Sequence, residues 1–265
     1  MMRHLFDCWE PFAARAAAAD HILLLSDYDG TLTRIVGRPE QAFMPDDVRA
    51  LLTEIARKPS FSVGIISGRA LNDVRNLAGI EGIYYAGNHG LEIDGPGFKF
   101  TNPAAPASRT HLTELKLRLG SLLGGIEGVL IEDKGLSLSV HYRLVPEAER
   151  GRVEGLFRQA IEPLLLKSRI RTTAGKMVWD ILPRIDWHKG RAVQTIAGAI
   201  RTRFRAKDLL IVYLGDDVTD EDAFKVLRQP EGWGIFVGKD SSVAEFCLDS
   251  PDEVRAFLDR LARLR

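Results

Sequence analysis

The chain has 265 residues, 45% hydrophobic and 27% charged, enough apolar content for a sizeable core and too much for a disordered chain. Lys+Arg and Asp+Glu balance at 36 each, which removes any global attraction to nucleic acid or to an anionic membrane. Cys8 and Cys247 lie far apart in sequence, so neither a disulfide framework nor a cysteine-built zinc site is expected. No apolar run reaches transmembrane length. The Ala-rich stretch from Arg3 to Asp20, interrupted by Asp7, Glu10 and Arg15, has no signal-peptide apolar region, so a cytoplasmic enzyme-sized protein is expected.

Residues 22–27 read as a buried strand, and Val48 to Ala56 as a helix entered through Pro45 and Asp46. Ser62 to Ile66 is a second strand, Leu71 to Leu77 a helix, and Ile83 to Ala86 a third strand. This alternation predicts an α/β fold, a doubly wound parallel sheet with helices on both faces, whose ligands bind beyond the carboxyl ends of the strands. Asp27 and Ser67 fall at such ends.

The pattern changes at the Pro-rich stretch from Thr101 to Pro106. His111 to Leu123 has Leu112, Leu115, Leu119 and Leu122 at helical spacing. Two runs, Val129 to Lys134 and Leu136 to Arg143, are split by Gly135 and predict a hairpin. Glu147 to Leu166 is an amphipathic helix with Val153, Leu156, Phe157, Ala160, Ile161 and Leu164 on one face. Strands at Arg169 to Thr173 and Lys176 to Leu182 follow, with Ala174-Gly175 as the expected turn. Hairpins replace crossovers here, so residues 104–184 read as an inserted α/β domain with an antiparallel sheet. The last block resumes the crossover pattern: a helix from Lys189 to Phe204 with Val193, Ile196, Ile200 and Phe204 inward, a strand Leu209 to Leu214, a helix Thr219 to Leu227, a strand Ile235 to Val237, and a helix from Pro251 to Leu264. The main domain is therefore discontinuous, 1–103 and 185–265, with 104–184 as its cap.

Asp27-Tyr28-Asp29-Gly30-Thr31 stands where a buried strand meets a turn. Alternating side chains let Asp27 and Asp29 point the same way, and paired carboxylates need a cation or a shared proton to relieve their repulsion. Taken alone, Asp-x-Asp-Gly favours an acidic turn. Three other pieces shift the balance. Ser67 and the Gly68 amide can donate to an anion; Lys189 opens a helix whose free amides face the same way; Asp216 and Asp217 follow an apolar strand through Gly215, repeating the placement of Asp27. Taken separately, Lys189 reads as a solvated helix residue, and Asp220 and Glu221 as acids compensating a helix dipole. Thr219 and Asp222 match a capping box. Converging carboxylates with a hydroxyl and a lysine call for a hard, oxygen-seeking cation, and Mg²⁺ fits.

In order, Asp27-x-Asp29-Gly-Thr, Ser67, Lys189 and Gly215-Asp216-Asp217 resemble the four motifs of haloacid-dehalogenase-type phosphatases. Ser67-Gly68-Arg69, Gly87-Asn88-His89-Gly90-Leu91-Glu92, Val140-His141-Tyr142-Arg143, Gly175-Lys176 and Gly215-Asp216-Asp217-x-Thr219-Asp220-Glu221 extend the resemblance over most of the chain to the trehalose-6-phosphate phosphatase family. The resemblance implies a phosphatase core with an inserted cap, Asp27 as nucleophile and Asp29 as general acid and then base. It also implies Ser67 and Lys189 on the phosphoryl oxygens, and Mg²⁺ held by Asp27, Asp29 and Asp216 with Asp217 and Asp220 in support. Arg69, His89, Glu132, Lys134, Arg143, Lys176 and Asp180 are implied as substrate-binding residues for a small-molecule sugar phosphate. A polar face on the strand from Leu136 to Arg143 suits a hydroxyl-rich disaccharide, with Ser137 expected to be solvated.

Three positions depart from the family pattern: Asp180-Ile181-Leu182-Pro183 stands where Glu-x-Arg-Pro is usual, and His188 where Asn or Asp precedes the lysine. The sugar leaving group therefore stays open, with glucosylglycerol phosphate and mannosylglycerate phosphate as alternatives and a non-catalytic sugar-phosphate sensor as a rival. Neither oligomeric state nor regulation is legible.

Overall fold

Strand β2 explains the larger sheet, because its apolar run is buried on both faces. In the computed structural model, which describes residues 2–264, Ile22 and Leu24 join one hydrophobic layer while Leu23 and Leu25 join the other. A strand with no solvated face reads as a continuous apolar run rather than an alternating one.

In chain order the elements of the first compact unit are β1 (Arg3–His4), α1 (Trp9–Ala18), β2 (His21–Ser26), α2 (Asp46–Ala56), β3 (Phe61–Ile66), α3 (Leu71–Ala78), β4 (Tyr84–Gly87), β5 (Glu92–Gly95) and β6 (Phe98–Thr101). Next come those of the second unit, α4 (Arg109–Leu123), β7 (Leu130–Asp133), β8 (Leu138–His141), α5 (Glu147–Leu166), β9 (Ile170–Gly175) and β10 (Val178–Pro183). The chain then returns to the first unit with α6 (Lys189–Phe204), β11 (Leu209–Gly215), α7 (Glu221–Val226), β12 (Gly232–Val237), β13 (Phe246–Leu248) and α8 (Pro251–Ala262). The first unit runs to Phe100 and resumes at Trp187; the second is Thr101–Asp186.

The first unit's sheet has the order β1-β13-β12-β11-β2-β3-β4-β5-β6. The strands from β1 to β4 in this order pair in parallel, and β5 runs antiparallel to β4. One face is covered by residues such as Phe12, Leu52, Val74 and Phe257, the other by Val193, Ile196, Ile200 and Phe224. Phe204, expected inward at the end of α6, is 42% exposed; its ring stacks on His21 at 4.3 Å. Helix α1 and strands β1, β5, β6 and β13 were not anticipated. The strands are two to four residues long, and α1 buries only Phe12 and Ala16, so each lacks a periodic signal.

The second unit is a four-stranded antiparallel sheet, β7-β8-β10-β9, packed on α4 and α5. Leu112, Leu115, Leu119 and Leu123 meet Val153, Phe157 and Ile161, and Trp179 stacks on both Tyr142 and Phe157 at 4.0 and 4.4 Å. The β9–β10 turn is Lys176-Met177, with Met177 at φ 68°, and not Ala174-Gly175. Gly175 instead pairs with Val178 inside the ladder. Ser137, expected on a solvated face, is buried. No helix of the described residues is long and apolar enough to cross a membrane.

Candidate active site

Parallel pairing aligns the ends of three neighbouring strands. Leu214 lies opposite Ser26, and Ser26 opposite Ile65, so Asp216, Asp27 and Ser67 each leave the sheet at the same edge. Gly30 permits the approach of the first two. It sits at φ 87°, and a Cβ there would lie 2.1 Å from Asp216 Oδ2. The neighbouring Thr31 hydroxyl donates to Asp216 Oδ1 at 3.0 Å.

Helix α6 brings Lys189 to this edge from its first turn. Its Nζ lies 2.9 Å from Asp27 Oδ1 and 2.7 Å from Asp220 Oδ1, and all three side chains are buried. Lys189, which taken separately reads as a solvated residue, is therefore the cationic centre of the cluster. His188 is the N-cap of α6, but its side chain makes no capping bond and its Nδ1 has no hydrogen-bond partner among the described residues.

Carboxylate oxygens of Asp27, Asp216 and Asp220 lie within 4.8 Å of one another. Asp220 supports the group, as the resemblance implies. It is fully buried rather than a surface acid at a helix start. Oδ1 accepts from Lys189 and from the Tyr213 hydroxyl, and Oδ2 accepts from the amides of Asp216 and Asp217 at 3.1 and 3.0 Å. These four bonds use the four acceptor sites of a carboxylate, leaving Asp220 as a brace and not a metal ligand. The capping box is also corrected: it joins Asp217 and Asp220 around the turn Val218–Asp220, and not Thr219 and Asp222. Asp217, expected at the metal, lies outside the carboxylate group, and its Oδ1 accepts from the Val218 amide at 2.6 Å.

Three carboxylates against one ammonium leave about two units of buried negative charge. Burial pushes the Asp27 carboxyl well above the usual carboxylate range; Lys189 pulls it down, while Asp220 and Asp216 add to the rise. Burial alone would lower Lys189, but Asp220 and Asp27 reverse that and hold it protonated. A divalent cation beside Asp27 and Asp216 relieves the excess charge, so the donor set fits Mg²⁺. Among the described residues one other triad, His4, Asp249 and Glu253, brings ligand-type atoms together, but His4 bonds Glu253 at 2.9 Å and Lys239 pairs with Asp249 at 3.5 Å.

Asp29 is turned to Arg69. Arg69 Nε and one Nη donate to its two oxygens at 2.7 and 2.8 Å, and the guanidinium also reaches Asp73 and the Pro39 carbonyl. Arg69 thus has partners other than the sugar expected of it. Ser67 is buried and its Oγ accepts from the Arg69 amide at 3.1 Å. His89 is buried at φ 56°, bonded through its amide to the Ser67 carbonyl; a Cβ on Gly68 would lie 2.8 Å from its ring.

In the second unit, Glu132, Ser139, Asp180 and Thr173 are register partners across all four strands, so they share one face. Lys134 Nζ lies 3.3 Å from Asp180 and 4.0 Å from Glu132; His141 bonds Glu132 at 2.9 Å, and the Ser139 hydroxyl donates to Asp180. Arg143 and Lys176 form a separate pair, the guanidinium donating to the Lys176 carbonyl at the β9–β10 turn. Sequence reading missed two residues here. Thr173 Oγ1 is buried without a hydrogen-bond partner among the described residues, and Arg171 lies opposite Leu182 in register. Cross-strand pairing was the only signal for either.

Residues 25–252 match the family model described as trehalose-phosphatase. The chain is 36% identical over 275 residues to "Probable trehalose-phosphate phosphatase 3" of Oryza sativa subsp. japonica, covering 97% of this chain and 74% of the relative. It is 38% identical over 244 residues to "Trehalose-phosphate phosphatase" of Mycobacterium tuberculosis, covering 89% of this chain but 60% of that longer protein. The C-terminal domain of trehalose-6-phosphate phosphatase from C. albicans has the same fold, with a TM-score of 0.83 at 24% identity and 97% coverage of each chain. With this sequence similarity over a core of aligned carboxylates and a separate antiparallel unit, the chain belongs to the trehalose-phosphatase family.

Proposed function

We propose that the protein is a Mg²⁺-dependent phosphatase that hydrolyses trehalose 6-phosphate to trehalose and phosphate through an aspartyl-phosphate on Asp27. The observation that supports it most is the contact of Lys189 Nζ with Asp27 Oδ1 at 2.9 Å, beside Asp216 and braced by Asp220. Asp27 and Asp216, with the Asp29 backbone carbonyl, would hold the ion, which would supply charge neutralisation on phosphate oxygens.

The chemistry of the chain's own groups follows in two steps. An Asp27 oxygen forms a bond to phosphorus as the bond from phosphorus to the sugar oxygen breaks, and Asp29 delivers a proton to the departing oxygen. Water then attacks the same phosphorus, gives its proton back to Asp29, and frees the Asp27 carboxylate. Lys189 and Ser67 bind equatorial phosphoryl oxygens and offset charge as it develops.

The polar row of the second unit provides the sugar contacts, making Thr101–Asp186 the specificity domain. Lys134, Glu132 and Asp180 form its charged centre, and Thr173 offers an unpartnered hydroxyl. Arg171 brings a guanidinium to the register position opposite Leu182. A cytoplasmic setting fits the two free thiols, Cys8 and Cys247. Phosphate release with Mg²⁺ across trehalose 6-phosphate, glucosylglycerol phosphate and mannosylglycerate phosphate tests the reading. Highest kcat/KM on trehalose 6-phosphate supports it, preference for another ester reassigns the substrate, and no turnover of any ester leaves only a sensor.

A further inference from the structure

Arg69 is buried, and its guanidinium is held by groups of the core unit. Four of its five N–H donors have acceptors within the core unit: Nε and an Nη on the two oxygens of Asp29, another on Asp73 at 2.8 Å, and one on the Pro39 carbonyl at 2.7 Å. The guanidinium also lies over the Tyr28 ring, 5.6 Å from its centroid. Its backbone is equally fixed. The Arg69 amide donates to Ser67 Oγ at 3.1 Å, and its carbonyl accepts from the Asn88 amide at 2.7 Å. The guanidinium plane is thus set by α3, by the Pro39 segment and by an aromatic face before Asp29 is considered.

Asp29 presents the opposite situation. Its side chain is 40% exposed, and both its oxygens are bound by Arg69. A short carboxylate at a turn has several accessible rotamers, and a bidentate fork fixes both its position and the plane of its two oxygens. Lysine cannot substitute, because a single ammonium does not set that plane.

We propose that Arg69 is a positioning residue for proton transfer, holding the Asp29 carboxyl in the orientation from which it serves the leaving oxygen. This inference rests on the reading of Asp29 as general acid and base. It assigns Arg69 a role in the protonation of the leaving group, distinct from sugar binding and from phosphate binding.

The test compares two phosphate esters under saturating Mg²⁺. Trehalose 6-phosphate releases a poor alkoxide leaving group that needs a proton; p-nitrophenyl phosphate releases a stable phenolate that does not. Asp29→Asn, Arg69→Met, Arg69→Lys and Asp73→Asn are measured on both for the single-turnover rate of leaving-group release, the step that precedes water attack on the aspartyl-phosphate and so does not include the base role of Asp29. Arg69→Met is expected to lose roughly 10²-fold on the sugar phosphate but stay within about tenfold on the nitrophenyl ester, the same split as Asp29→Asn. Arg69→Lys should retain most of the defect, and Asp73→Asn, which frees one side of the guanidinium, should show a smaller split in the same sense. Thermal melts confirm folding; if Arg69→Met does not fold, Asp73→Asn decides, its half-exposed side chain being dispensable for the core. Equal losses on both esters, or full rescue by lysine, overturn the inference. A split in Asp29→Asn without one in the Arg69 and Asp73 variants overturns only the role of Arg69, whereas no split in Asp29→Asn overturns the general-acid reading itself.

Discussion

The strand ends of the core unit and the polar row of the second unit are both clusters of charge on a sheet, but they are built differently. At the core edge the geometry is closed. Asp220 has all four acceptor sites filled, Lys189 is held between two carboxylates, and Gly30 lets Asp216 come within a distance any Cβ would block. In the second unit Lys134 bridges Asp180 and Glu132 at 3.3 and 4.0 Å, Ser139 and His141 bond the same two acids, and the buried Thr173 hydroxyl has no hydrogen-bond partner among the described residues. A transition state of fixed shape rewards rigid groups placed in advance, whereas a sugar brings its own hydroxyls to complete a partly satisfied surface. The comparison says that changes at the core edge should act on kcat or on stability, and changes in the row on KM.

The largest effect tests the core side. Asp27→Asn is expected to lower kcat by roughly 10⁴-fold or more while the protein still melts cooperatively, since an amide is a poor nucleophile toward phosphorus. A near-normal rate would remove Asp27 from the covalent step. Asp220→Ala tests the brace. It strips Lys189 of one partner and leaves the Tyr213 hydroxyl and two amides unsatisfied, so denaturant titration should show a loss of about 3–5 kcal/mol. A loss below about 1 kcal/mol would mean that water replaces the carboxylate there.

On the other side, Asp180→Ala should raise KM for the sugar phosphate about tenfold with little change in kcat, a loss of uniform binding. An unchanged KM would take β10 out of recognition and collapse the distinction between the two regions. The smallest effect lies away from both. His21 is buried against Phe204 and bonded to Ser62, and burial lowers its pKa below the ordinary 6.5. The folded state then binds fewer protons than the unfolded one, so this contribution is complete above the ordinary value and is lost as pH falls through the folded pKa. The slope it adds is at most about 1.4 kcal/mol per pH unit, and His21→Gln should flatten stability between neutral and mildly acidic pH. An identical slope in the variant would assign the acid sensitivity elsewhere.

Long periodic segments were legible in the sequence. Helix α6 and helix α5 have the expected bounds, and the apolar runs of β2, β3 and β11 fix the parallel centre of the sheet. Elements of two to four residues were not, because β1, β5, β6 and β13 take their shape from neighbours rather than from pattern. The motif residues Asp27, Ser67, Lys189 and Asp216 could be anticipated from strand ends and order. The supporting role of Asp220 came only with the family resemblance, since an acid in a first turn has a sufficient local explanation in the helix dipole. The partners of Arg69 were not legible either, since Asp29, Asp73 and Pro39 reach its guanidinium only through the fold. Gly175 misled the turn placement because a glycine is the strongest local turn signal, yet the register there places Lys176 and Met177 outside the ladder.

The central claim is that phosphate passes through the Asp27 side chain. Enzyme turning over trehalose 6-phosphate with Mg²⁺ is quenched in acid within the first turnovers and its peptides are weighed. The account predicts one added phosphoryl mass on the peptide containing Asp27, absent without Mg²⁺ and absent in Asp27→Asn. Steady phosphate release with that peptide unmodified at every quench time would contradict it.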